Sequence, residues 1–133
     1  MIKISVQISS LHGERERCEI EIKQGVPLEM TVRSQHFGSL SFVTDNLFSA
    51  LLEFRRRIEW EGYMLLCNVA RKDAYPSRMA LQMGGGRKVY LLKHGKQAKQ
   101  EDLVDAFEEA SIEQVCTVAE QQAAYEAWFM SLK

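Results

Sequence analysis

The N-terminal third of the chain alternates apolar and polar side chains, and no other feature limits the fold so tightly. Ile2, Ile4, Val6 and Ile8 alternate with Lys3, Ser5 and Gln7. A period of two puts successive side chains on opposite faces, so this segment is expected to be a strand with one wet and one dry face. Residues 17–23 repeat the pattern with Cys18, Ile20 and Ile22, and residues 28–33 with Leu28, Met30 and Val32. Residues 39–43 form a fourth, shorter run. His12-Gly13, then Gly25-Val26-Pro27, then residues 34–38 punctuate the series with turn-forming types. Strands joined by such short connections pair with their neighbours, which predicts an antiparallel meander.

After residue 43 the period changes to about 3.6. Leu47, Leu51, Phe54 and Ile58 fall at i, i+4, i+7 and i+11, the stripe of an amphipathic helix over residues 45–61. Thr44 or Asp45 can serve as its N-cap, Arg55-Arg56-Arg57 suits the C-terminal dipole, and Gly62 ends it. Three consecutive arginines on a helix point in three directions. Without interleaved aromatics or a second basic cluster they read as a solvated face, and not as a nucleic-acid site.

Residues 63–68 and 88–93 are apolar runs too short for helices, and read as largely buried strands. Between them, Pro76 suits the first turn of a short helix, and Gly84, Gly85 and Gly86 suit its C-terminal cap. Gly84-Gly85-Gly86-Arg87-Lys88 resembles a phosphate cradle only superficially, because a P-loop leads from a strand into a helix and here the glycines lead into a strand. Residues 102–107 fit either a helix, through Leu103, Val104 and Phe107, or a short edge strand beside residues 88–93, and the strand is the preferred reading. Ser111–Gln114 and Thr117–Glu120 both have the capping-box pattern. The second opens a final helix over residues 118–132, with Val118, Gln121, Tyr125, Trp128, Phe129 and Leu132 on one side.

The chain has 133 residues, enough for one domain with its own core. A hydrophobic fraction of 46% and a charged fraction of 26% fit an ordinary globular composition. No run approaches a membrane span. The alternating N-terminus reads as a strand and not as a signal peptide, so cytoplasmic residence is expected. Cys18, Cys67 and Cys116 lie far apart, which argues against a disulfide framework and a zinc site; His12, His36 and His94 lack ligand spacing. No serine lies in a nucleophile motif, and Asp73 between Arg71 and Arg78 reads as a loop-fixing ion pair. Neither catalysis, a metal nor a cofactor is therefore expected. The near-zero net charge hides a division. Residues 1–100 hold 16 Lys/Arg against 10 Asp/Glu, whereas residues 101–133 hold Lys133 against eight acids, among them Asp102, Asp105, Glu108, Glu109 and Glu113. Such a region is either a solvated face or an attractor for a basic partner.

The string Leu66-Cys67-Asn68-Val69-Ala70-Arg71-Lys72-Asp73-Ala74-Tyr75-Pro76-Ser77-Arg78-Met79-Ala80 is distinctive. With Met83 to Tyr90, Leu103-Val104-Asp105-Ala106-Phe107, Thr117 to Gln121 and Trp128, it resembles a family of small bacterial immunity proteins of polymorphic-toxin and contact-dependent growth-inhibition systems. The resemblance covers roughly residues 62–132. It implies a cytoplasmic, non-enzymatic protein whose partner is the C-terminal domain of a cognate toxin, with no direct contact to nucleic acid or membrane. The acidic set Asp102, Asp105, Glu108, Glu109 and Glu113 is then one candidate interface, suited to a basic nuclease. Asn68, Arg71, Tyr75, Arg78 and Arg87 form the competing interface or ligand set, and Pro76, Gly84, Gly85 and Gly86 are expected to be structural. The rival readings are a small-ligand or nucleotide-binding domain using Asn68, Arg71 and residues 84–86, and a structural subunit of a larger assembly. The fold expected is α+β in a single domain over residues 1–133. In it one mostly antiparallel sheet, extended by residues 63–68 and 88–93, carries two main helices.

Overall fold

A computed structural model describes residues 1–76 and 87–133. The fold is α+β. Four strands, β1 (Ile2–Ser10), β2 (Arg15–Lys23), β3 (Leu28–Ser34) and β4 (Gly38–Thr44), form the meander, and the helix α1 (Leu47–Glu59) follows. Strand β5 (Tyr63–Leu65) returns to pair with β1, giving a five-stranded antiparallel sheet in the order β4-β3-β2-β1-β5. A second, three-stranded sheet is built from β6 (Ala74–Tyr75), β7 (Lys88–Leu91) and β8 (Leu103–Asp105), in that order. The second α-helix among the described residues, α2 (Val118–Ser131), follows near the C-terminus.

The registers keep the apolar positions of all four meander strands on one face. Ile4 lies opposite Ile20, Ile20 opposite Val32, and Val32 opposite Leu40. Helix α1 covers this face with Leu47, Leu51, Phe54 and Ile58, all buried. Phe54 is fully buried and meets Phe42 edge-on at 6.2 Å. Truncating such a side chain to alanine costs about 3–5 kcal/mol. The opposite face is wet and carries the cross-strand ion pairs Arg33–Glu21 and Lys23–Glu29. Gly62 follows α1 with φ +79°, a backbone conformation that disfavours residues with a Cβ, and turns the chain into β5.

Four expectations are corrected. Residues 88–93 do not join the meander sheet, because β5 already occupies the edge of β1; β7 pairs instead with β6 and β8. The run 63–68, buried from Leu65 onward, is a strand only as far as Leu65. Beyond it the chain becomes a single 3-10 turn, Asn68–Ala70, whose first two N–H groups donate to the carbonyls of Glu108 and Ala106. The cap of α1 is Asn46, whose side chain accepts from Ser49 N at 2.9 Å, and not Thr44 or Asp45. Arg55 is buried, at 1% exposure, where a solvated arginine face is expected. Residues 102–107 do contain the preferred edge strand, β8, beside β7. The Thr117–Glu120 box caps α2 reciprocally, whereas the Ser111–Gln114 pattern closes a turn. The short helix after Pro76 and the glycine cap at Gly84, Gly85 and Gly86 lie outside the described residues. No helix is long and apolar enough to cross a membrane among the described residues.

Candidate functional site

Residues 66–75 run through the centre of the molecule from the first sheet into the second. Leu66 N donates to Gln7 O in the first sheet, and Ala74 and Tyr75 form β6 in the second. Residues 106–110 lie beside residues 66–69 and residues 114–116 beside residues 70–72, each pair locally antiparallel. Main-chain bonds stitch the first pair together: Val69 N to Ala106 O at 3.0 Å, Asn68 N to Glu108 O at 2.9 Å and Ala110 N to Leu66 O at 3.1 Å. After the Ser111–Gln114 turn a second, separate antiparallel stretch follows, with Lys72 N to Gln114 O and Cys116 N to Ala70 O, both 3.0 Å. Ala106, Ala110 and Cys116 turn inward, while Glu108, Glu109 and Glu113 face solvent.

The five acidic candidates therefore divide. Asp102 accepts from Lys99 N and so caps a 3-10 turn. Asp105 accepts from Phe107 N at 2.8 Å and faces Arg87 Nε at 3.6 Å. Among the described residues Glu108, Glu109 and Glu113 take no side-chain hydrogen bond or ion pair. All three are exposed, and the main chain at Glu108 and Glu109 is tied to the central segment. Exposed carboxylates of this kind attract an approaching cationic surface.

The competing set is largely turned to internal use. Asn68 is buried and donates from Nδ2 to Asp105 O at 3.2 Å. Arg71 makes a two-pronged pair with Asp73, both bonds 2.8 Å, which raises its pKa above the ordinary arginine value. Tyr75 stacks on Tyr125 with ring centroids 4.0 Å apart and donates its hydroxyl to Gln122. Arg87 lies over the Phe107 ring at 5.5 Å. Arg78 lies outside the described residues; Pro76 is buried at the end of the described segment. Beside Arg71 a groove of about 500 Å³ runs between the second sheet and α2, lined by Lys72, Asp73, His94 and Trp128 among others.

One structural centre escapes the reading from sequence. The Arg55 guanidinium donates to Gln121 Oε1, to Cys116 O at 3.0 Å and to Val69 O at 3.4 Å. Gln121, 1% exposed, points its amide nitrogen at the carbonyls of Val69, Arg71 and Ala74, each within 2.9 Å. Burial lowers the Arg55 pKa, partly offset by the nearby Glu59 carboxylate. Glu59 in turn accepts from Val118 N at the start of α2. This brace ties α1, the central segment and α2 together, and so sets the backbone on which the acidic edge is carried. Its signal was present: Gln121 interrupts an apolar helix stripe, and Arg55 directly follows the core residue Phe54 on a face it shares with Leu51 and Ile58.

The three thiols are buried, and burial raises Cys18 and Cys67 to about 12 and Cys116 to about 11, so each stays protonated at neutral pH. Among the described residues no group of three His, Cys, Asp or Glu could hold a metal ion. No protein-family model matches this chain, and no curated protein matches it either.

Proposed function

We propose that this chain is an immunity protein, which binds the C-terminal domain of a cognate toxin and neutralises it by occluding its active site. It acts by binding, without catalysis or cofactor, in the cytoplasm of the cell it protects. The observation that carries the reading is the acidic edge. Glu108, Glu109 and Glu113 are exposed, the first two on main chain tied to the central segment and the third on the Ser111–Gln114 turn, with no side-chain partner among the described residues. Exposed carboxylates on ordered backbone accelerate encounter with a basic surface and lose little entropy on docking. A nuclease, whose substrate channel is basic, is the effector class this edge fits best. The resemblance over residues 62–132 supports the same reading.

The test is inhibition at defined stoichiometry. The C-terminal domain of the toxin gene neighbouring this one is titrated with the chain. Activity should vanish at one equivalent. Unchanged activity at severalfold excess, or a neighbouring operon that encodes only metabolic enzymes, contradicts the reading. The groove beside Arg71 favours a second reading, a small anionic ligand held between Lys72, His94 and Trp128. Calorimetry with nucleotides, giving saturable heat abolished by Trp128→Ala, would favour it over the first.

A further inference from the structure

Strand β4 is the longest open edge among the described strands. It pairs with β3 through seven consecutive residue pairs, Leu28 with Thr44 to Ser34 with Gly38, and no described residue pairs with its other side. Edge strands are usually guarded by lysine, proline, a bulge or shortness. Gly38–Thr44 has none of these: its sequence is Gly-Ser-Leu-Ser-Phe-Val-Thr, uncharged and unbulged. At the opposite edge of the same sheet β5 has only three residues, and the N-terminal half of β1 that it leaves open carries a guard in Lys3. In the second sheet β6 has two residues, and β8 has three and ends on Asp105.

The surroundings of β4 are equally unusual. Trp60, at the C-terminal end of α1, is 89% exposed and Val43 is 60% exposed. A groove of about 620 Å³ lies between Phe42 of the strand and the C-terminal half of α1, lined further by Glu53, Arg56, Arg57, Trp60 and Glu61. Tryptophan and arginine are the side chains that most often anchor interfaces. The rim holds two acids and two arginines, so it is neutral as a whole.

We infer that β4 is the interface of a homodimer, in which two copies pair their β4 strands antiparallel about a twofold axis through Ser41. The inference is independent of the acidic edge and goes beyond the immunity reading. The strand is close to palindromic about Ser41. In this register Leu40 lies opposite Phe42 of the second copy, Ser39 opposite Val43, and Gly38 opposite Thr44. Each copy thus places an apolar pair on the core face, next to the groove beside Trp60, and opposes small or neutral residues on the wet face. A twofold contact sets every residue against its own surface, so any net charge on strand or rim would repel. Neutrality of both is the condition for a second copy, and nothing about a foreign strand requires it. A single strand pair buries less than a standard interface, which sets the dissociation constant on the order of 1–100 μM.

Sedimentation of the full chain tests this, from about 1 to about 500 μM, a range that brackets that constant. The wild type should pass from 15.3 kDa to twice that mass. Ser41 is exposed, so Ser41→Lys and Ser41→Glu should keep the far-ultraviolet spectrum and thermal midpoint. Each alone should dimerise about tenfold or more weakly, because like charges meet at the axis. Mixed one to one, the two variants should recover a dimer of one lysine and one glutamate chain. Trp60→Ala, which leaves the strand intact, should also weaken the dimer by about threefold or more, as loss of an anchor does. A wild type that stays monomeric throughout, including one that binds a strand of another protein at this edge, overturns the inference. So does a mixture that associates no better than either variant alone.

Discussion

Replacing Gln121 by leucine should be among the most damaging single changes in this chain. Leucine is close in volume, so the loss is polar and no large cavity contributes. Wild-type Gln121 accepts from the buried Arg55 guanidinium and donates to the carbonyls of Val69, Arg71 and Ala74. An amide nitrogen has two hydrogens, so two full bonds to those carbonyls are lost at about 1 kcal/mol each, plus one charge-assisted bond worth about 1.5–3. Burying the added methyl groups returns about 1 kcal/mol. The net cost is about 3 kcal/mol. Urea titration should show a midpoint lowered by about 1–3 M at unchanged slope, since the slope reports exposed area. The partner change Arg55→Met should cost about 3–5 kcal/mol alone, because it strands Gln121 and Cys116 O. The double variant should be more stable than the sum of the two losses by at least about 1 kcal/mol, as apolar groups replace both partners. A loss below about 1 kcal/mol for Gln121→Leu, or strict additivity in the double variant, would refute the brace.

Thr117→Ala should cost about 1 kcal/mol by removing the acceptor for Glu120 N, read as a drop of about 3–5 °C in thermal midpoint. Asp105→Asn should destabilise the fold measurably, because it weakens the contact with Arg87, whereas Glu113→Gln should leave the midpoint unchanged. Glu61 is held below the ordinary 4.5 by hydrogen bonds from Arg57 and then His36, and Glu120 by the Thr117 backbone N–H and then its hydroxyl. Their contributions are complete above pH 4.5 and fade as pH falls below it, so Glu61→Gln and Glu120→Gln should each flatten the acid limb of a stability profile. Glu59 behaves oppositely. Burial raises its pKa, so ionising it opposes folding, and Glu59→Gln should lessen the fall in stability as pH rises through its folded value.

The meander was legible because one face of it is wet. Alternation in Ile2–Ile8 and Leu28–Val32 records a dry side and a solvated side, and the pairings keep that assignment. The partition into two sheets was not legible. Residues 63–68 and 88–93 are short apolar runs without strict alternation, and only Val89 of the second run is buried, so neither carries a direction for its partners. What separates them is the edge of β1, already filled by β5, and the main-chain bonds of residues 66–72 to residues 106–110 and 114–116. Neither leaves a periodic trace. Arg55 was misplaced for a related reason: three adjacent arginines look alike in composition, yet only Arg55 lies on the face of Phe54 and Ile58. At the candidate site, the acidic bias of residues 101–133 could be read directly. Which carboxylates are bound internally could not, because Asp102 and Asp105 are engaged by turns and by Arg87, all set by the fold.

Stopped-flow association with the effector domain, measured against ionic strength, tests the proposed immunity role most directly. Wild-type binding should slow markedly from low salt to 0.1 M and beyond, where screening acts beyond about 10 Å. The triple change Glu108→Gln, Glu109→Gln and Glu113→Gln should cut the association rate by about tenfold or more and flatten the salt dependence. Its thermal midpoint should match the wild type. A correctly folded triple variant that associates as fast as the wild type, while Tyr75→Ala speeds dissociation, would contradict the acidic edge and place the contact on the central segment instead.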